Sequence, residues 1–333
     1  MVSVLPRKPF RRSYLRERTC LFLLQRPPLF LFLFVFCTLL VRFTHVLNFH
    51  TTWREASEIQ VRLDLPFAPF TPTETVHIPG ASTLGFSRIY VLNLATRPDR
   101  RAYMETLVRS LNLDVHIVPA LTPASSELLP YRHLLHERGW LNVGGYLREP
   151  ELACWGSHMK IWSDIVASNL SSALVMEDDV DIEWEIEEIW AQLQKGLEST
   201  TGLDGWDIVY LGHCFNKAGP VLYRSMYTTR NGGQVVHSIR EARESFCTHA
   251  YAVSDRGARK LLRLLRDTDR SVDWALNRRR RKAHLRLLSV HTPLIIQLRK
   301  SADNPSDVHP GDMRSEERPE EELIESTASH FKS

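Results

Sequence analysis

The chain has 333 residues, 43% of them hydrophobic, with a formal net charge of +3. That length suits a membrane anchor plus one large domain better than two equal domains, and the apolar content is ample for a sizeable core. The basic runs, one from Arg7 to Arg18 with Phe10 and Tyr14 among its basic residues and one at Arg278-Arg279-Arg280-Arg281-Lys282 without aromatics, are both short. They speak against a nucleic-acid partner.

Residues 1–20 read as a basic cytosolic tail, carrying Arg7, Lys8, Arg11, Arg12, Arg16 and Arg18 with no acid before Glu17. Residues 21–49 read as a signal-anchor transmembrane helix. Its uncharged stretch, Pro27 through Val41, is shorter than the roughly 20 residues that span a bilayer. Arg26 and Arg42 can snorkel at its ends, and Cys20–Leu24 can lengthen it. A cleaved signal peptide is the competing reading. Against it, no small-x-small site follows Val41, and His45, Phe49 and Trp53 are bulky. The upstream basic residues favour a cytosolic N-terminus and a lumenal domain in the endoplasmic reticulum or Golgi. Residues 50–86, with Pro66, Pro69, Pro72 and Pro79, read as an extended stem. The globular domain is expected over 87–308, and a polar acidic tail over 309–333.

Ser87–Leu94 is a strand, followed by a helix from about Pro98 to Leu111. Arg97, Arg100 and Arg101 at that helix N-terminus offer a diphosphate platform, or are merely solvated. Asp114–Pro119 is the next strand, and 120–150 is rich in loops. From Glu149 to Asn169 a helix repeats Trp155, Met159, Trp162 and Val166 on one face, with His158 at its border and Ser157 away from it. Asn169-Leu170-Ser171 is a glycosylation sequon in the turn that follows.

Ala173-Leu174-Val175-Met176 is a short buried strand, and Glu177, Asp178, Asp179 and Asp181 crowd its end. Carboxylates so close repel one another unless something compensates them. Mg²⁺ or Mn²⁺ held between carboxylates and substrate phosphates would do so. The plainer alternative has Asp179 or Asp181 capping a helix over Glu183 to about Gln194, with the other acids solvated.

Trp206–Gly212 and Cys247–Val253 are further strands, separated by a poorly patterned stretch at 213–246. Ser254 caps a helix over Asp255–Leu265. Ser271-Val272-Asp273-Trp274 opens a short helix, and Leu285–Val290 and Pro293–Leu298 are the last strands. Alternating strands and helices predict an α/β domain with a mainly parallel central sheet. Of the five cysteines, Cys154, Cys214 and Cys247 lie in this domain, so at most one intramolecular bridge forms there. Cys214 and Cys247 flank the 213–246 excursion and are the favoured pair.

Four blocks in order resemble glycosyltransferase family 25, which includes lipooligosaccharide and collagen galactosyltransferases. They are Ile89–Leu94 with Arg97-Pro98-Asp99-Arg100-Arg101; Glu151–Cys154 with Ser157-His158 and Trp162; Ala173–Val180; and Trp206–Gly212 with Thr248-His249-Ala250-Tyr251 and Asp273. Ala153 stands where the family has glycine. Pro293, Gln297 and Ser306-Asp307 resemble the family's terminal block more loosely, and Lys300–Pro305 looks like an insertion in it, which puts a role for Asp307 in doubt. The resemblance implies a GT-A nucleotide-sugar-binding domain, a UDP-sugar donor carrying galactose, and a glycan or glycoprotein acceptor. It implies Mn²⁺ (or Mg²⁺) at Glu177, Asp178 and Asp179, and donor contacts from Asn93, Arg97, Arg100, Ser157, His158 and His249. An inverting reaction needs a base for the acceptor hydroxyl, and Asp273 is the first candidate, Asp207 the second. Asp273 as a helix cap, a metal-dependent phosphohydrolase, and a lectin-like or scaffold protein are the alternatives.

Overall fold

In a computed structural model, which describes residues 65–142, 147–201, 205–298 and 323–331, the apolar runs assemble into one nine-stranded sheet. In chain order the elements are β1 (Val76–Ile78), β2 (Arg88–Asn93), α1 (Pro98–Ser110), β3 (Val115–Pro119), α2 (Leu129–Glu137) and α3 (Glu149–Ala167). There follow β4 (Ser172–Glu177), β5 (Val180–Ile182), α4 (Ile186–Thr201), β6 (Ile208–Gly212), β7 (Phe215–Thr228) and β8 (Gln234–Phe246). The last are β9 (Ala250–Ser254), α5 (Asp255–Leu264), α6 (Val272–Arg279), β10 (Leu287–His291) and β11 (Ile295–Gln297).

The sheet runs β1-β3-β2-β4-β9-β6-β10-β8-β7, and β5 pairs with β11 in a small second sheet. The pairs β3–β2, β2–β4 and β6–β10 are parallel. The others, β1–β3, β4–β9, β9–β6, β10–β8 and β8–β7, are antiparallel. The fold is therefore mixed α/β, and the expected mainly parallel sheet is corrected. Period alone does not reveal pairing direction: β9 is as apolar as a parallel core strand, yet it inserts antiparallel between β4 and β6.

Trp155, Met159 and Trp162 of α3 are fully buried, as their spacing predicts, and Val166 is nearly so. Trp190 on α4 closes the other face, stacked on Phe86 at 5.5 Å and donating its indole N–H to the Leu84 carbonyl. Each such ring removes about 150–250 Å² from water, worth roughly 4–6 kcal/mol. Ser254 caps α5, accepting from the Gly257 amide at 3.0 Å. Asn169 is exposed in the turn after α3 with φ of 51°.

Three expectations change. Of the expected stem, residues 65–86 pack into the folded domain, and 50–64 lie outside the described residues. Phe67 stacks on Tyr131 and meets Trp155 edge-on, and Val76–Ile78 pairs with β3. Proline content suggested an extended segment, but Phe67, Ile78, Leu84 and Phe86 each bury against the core. The 213–246 stretch is the long β7–β8 hairpin rather than an irregular loop, and the Cys214–Cys247 disulfide closes its base. The end of the supposed acidic tail docks on the domain: Ser326 bridges to Glu183, and Thr327 is fully buried. Two buried acids hold it. Asp181 accepts from the Ala328 amide and the Ser326 hydroxyl, and Glu183 accepts from the Ile324 and Glu325 amides. Neither Asp179 nor Asp181 caps α4. The expected signal-anchor at 21–49 lies outside the described residues, among which no helix is long and apolar enough to cross a membrane.

Candidate active site

β4 is a central strand, flanked by β2 and β9, and its apolar residues satisfy both faces until Glu177. There the chain turns through Asp178-Asp179 into β5 and leaves three carboxylates in one pocket of about 440 Å³. Asp178 accepts from Asn93 Nδ2 at 2.7 Å and from Arg100 Nη1 at 3.1 Å. Asp179 accepts from Arg100 at 3.3 Å and from Gln297 Nε2 at 3.2 and 3.3 Å. Glu177 accepts from the Thr248 hydroxyl at 3.2 Å and lies 3.5 Å from His158 Nε2.

The three acids do not share one electrostatic state. Burial disfavours the Glu177 carboxylate, but the His158 hydrogen bond, the His158 and His249 rings and Thr248 outweigh it, so its pKa falls. Asp178 goes the other way: burial raises it against the pull of Asn93 and Arg100. Burial and then the Glu177 charge lift Asp179 to about 7, although Arg100 is beside it. One guanidinium does not neutralise the cluster. The site offers hard oxygen donors and an uncompensated negative charge, a donor set that fits Mg²⁺ or Mn²⁺.

His158 is fully buried and reaches Tyr251 OH at 3.0 Å through Nδ1 and Thr248 at 3.2 Å through Nε2. It orients Glu177 from beneath. Ser157 also lines the pocket, but its hydroxyl is used locally, donating to the Ala153 carbonyl and accepting from the Leu121 amide. Asn93 acts through Asp178. Arg97 is paired with Asp99 at 2.8 Å and does not line the pocket. His249 does not line it either: it is buried beneath, close to Gly212 and the disulfide.

Asp273 lines the pocket from the first turn of α6. Its Oδ1 accepts from the Ser271 hydroxyl and the Trp274 amide, both at 2.7 Å, and its Oδ2 accepts from the Cys247 amide at 3.2 Å. Ser271, not Asp273, occupies the cap position. Asp207 is corrected. It sits before β6, at the end of the strands opposite the acids, because β6 and β4 run the same way on either side of β9. Fully buried, it pairs with Arg256 at 2.8 Å and Lys260 at 2.7 Å and accepts from the Arg286 amide. It is a structural ion pair. Asp207→Ala is expected to cost about 3 kcal/mol in denaturant unfolding, since it strands those partners, with donor affinity unchanged by calorimetry.

Sequence reasoning assigned no site role to Gln297, Thr248, Tyr251 or Trp274. Gln297 arrives on β11 and Thr248 just before β9, so only pairing brings them to the acids. Thr248 had a signal, standing beside His249 in a motif block, and so had Gln297 in the looser terminal block. Trp274, 56% exposed at the pocket, had one in following Asp273.

Acids at the end of a central strand of a mixed sheet, opening onto a pocket, are consistent with the glycosyltransferase domain that the motif blocks resemble. Residues 86–276 match glycosyltransferase family 25 (LPS biosynthesis protein), and the chain belongs to that family. It is 31% identical over 218 residues to procollagen galactosyltransferase 1 of Danio rerio, covering 62% of this chain and 33% of that protein. Over 233 residues it is 27% identical to procollagen galactosyltransferase 2 of Mus musculus, covering 64% and 34%. Over 191 residues it is 32% identical to inactive glycosyltransferase 25 family member 3 of Homo sapiens, covering 54% and 29%. The chain thus spans about a third of these relatives' length. Relatives named as galactosyltransferases and a relative named as inactive both match, so similarity alone does not choose between turnover and its absence.

Proposed function

We propose that the chain is a galactosyltransferase, moving galactose from a UDP-sugar to a hydroxyl of a glycan or glycoprotein with inversion. The observation that carries this reading is that Glu177, Asp178, Asp179 and Asp273 open onto one pocket. Glu177, Asp178 and Asp179 would hold Mn²⁺ or Mg²⁺ as a group. The ion, when bound, offsets the charge that develops on the departing diphosphate.

The chain's own groups supply the rest. His158 and Thr248 fix Glu177, Asn93 and Arg100 fix Asp178, and Gln297 and Arg100 hold Asp179. Asp273 Oδ2 takes the proton of the acceptor hydroxyl as it attacks the anomeric carbon. Trp274 offers the acceptor a flat apolar face beside that carboxylate. The Cys214–Cys247 disulfide supports a domain held in an oxidising lumen, in keeping with a type II anchor in the endoplasmic reticulum or Golgi.

The test is incubation of the purified full chain with a panel of UDP-sugars and Mn²⁺. UDP release with one donor is the expected result. Inorganic phosphate release would indicate a phosphohydrolase instead, and neither product a non-catalytic member of the family.

A further inference from the structure

We propose that His77, Asp114 and His116 form a second metal site, suited to Zn²⁺, at the β1 edge of the sheet. The ladder creates it. His77 and His116 are direct partners across the antiparallel β1–β3 pair, so their side chains leave the same face. Asp114 precedes His116 by two positions, which returns it to that face. The imidazole rings stack with centroids 4.6 Å apart, and His77 Nε2 lies 3.0 and 3.1 Å from the two Asp114 oxygens. One ligand atom from each of the three residues falls within 4.8 Å of the others.

Two imidazoles and a carboxylate are a donor set that Zn²⁺ favours, with bonds of about 2.0–2.2 Å and a fourth position left for water. A cation with such bonds needs ligand atoms roughly 3.2–3.5 Å apart, so the widest separation in the cluster must contract by up to about 1.5 Å. His77 is half-exposed on an edge strand and has the rotamer freedom to do this. A plain ion pair accounts for His77 and Asp114 only. Among the described residues, His116 is stacked on His77, and neither of its ring nitrogens makes a hydrogen bond.

Softness separates this site from the acid cluster of β4. The β4 acids present hard oxygens suited to Mg²⁺ or Mn²⁺, whereas imidazole suits Zn²⁺. A bound ion would staple β1, and with it the segment around residues 76–78, to β3. The proposal stands whether or not the transferase reading holds, since it shares no residue with that pocket.

The experiment is a Zn²⁺ titration of the chelator-treated full chain by calorimetry, with thermal unfolding in parallel. The variants are His77→Gln, His116→Gln and Asp179→Asn. At Zn²⁺ a hundredfold above Kd, the Tm of the parent chain is expected to rise by about 5 °C. His77→Gln and His116→Gln should each weaken binding at least tenfold and lose the rise, while Asp179→Asn keeps both. Circular dichroism of the variants without metal establishes that they fold. Equal Zn²⁺ affinity in the parent and His116→Gln chains would overturn the proposal, placing the ion elsewhere, for instance at Cys154, His158 and Glu177. So would a response lost only in Asp179→Asn, or no binding at all.

Discussion

Asn in place of Asp179 is expected to abolish cation-dependent donor binding while the chain stays folded. Asp179 carries the least compensated charge of the β4 acids: burial and Glu177 hold its pKa at about 7, against an ordinary 3.8. The sign of the linkage follows. Because the folded-state value is raised, the folded chain binds the proton more tightly than the unfolded chain. Stability is therefore unpenalised below about pH 4, falls as pH rises toward 7, and is lowest above it. The amide removes that penalty, so without metal the variant should match or exceed the parent chain in Tm above pH 7. The cation must displace the same proton. In the parent chain, Mn²⁺ affinity should thus fall by about tenfold per pH unit below 7 and level off above it. Calorimetry with a UDP-sugar and Mn²⁺ at pH 7.5 reads the main effect, and undiminished donor affinity in a folded Asp179→Asn chain would sink the metal assignment.

Replacing Asp273 with Asn should lower kcat by roughly 10²–10⁴-fold and leave donor binding nearly intact. The amide preserves size and can still accept from Ser271, Trp274 or Cys247, so α6 keeps its first turn. It cannot accept a proton from the acceptor hydroxyl. A residue that merely satisfies helix N–H groups behaves differently: its loss costs about 1 kcal/mol of stability and leaves kcat within several-fold. One kinetic comparison at saturating donor separates the two. A near-normal kcat would remove Asp273 from the mechanism, and Asp207 would not replace it, being buried at the opposite end of the strands.

What the sequence by itself determined was local. A period of 3.6 marked the buried face of α3, and four apolar residues marked β4. The crowding of Glu177, Asp178 and Asp179 marked a strand end where like charges need a compensating partner, and left a bound cation and plain capping or solvation both open. Two cysteines flanking one excursion marked the disulfide. Tertiary structure decided everything that depends on who pairs with whom. The antiparallel insertion of β9 put Asp207 at the strand end opposite the acids and set Thr248 against Glu177. Pairing of β11 with β5 carried Gln297 from 118 residues away to Asp179. Residues 65–86 looked like linker because proline disfavours regular structure, but their scattered aromatic and aliphatic side chains gain more from burial than their composition suggests. Strand direction, register and docking are set by contacts between residues far apart in the chain, and no local pattern encodes those.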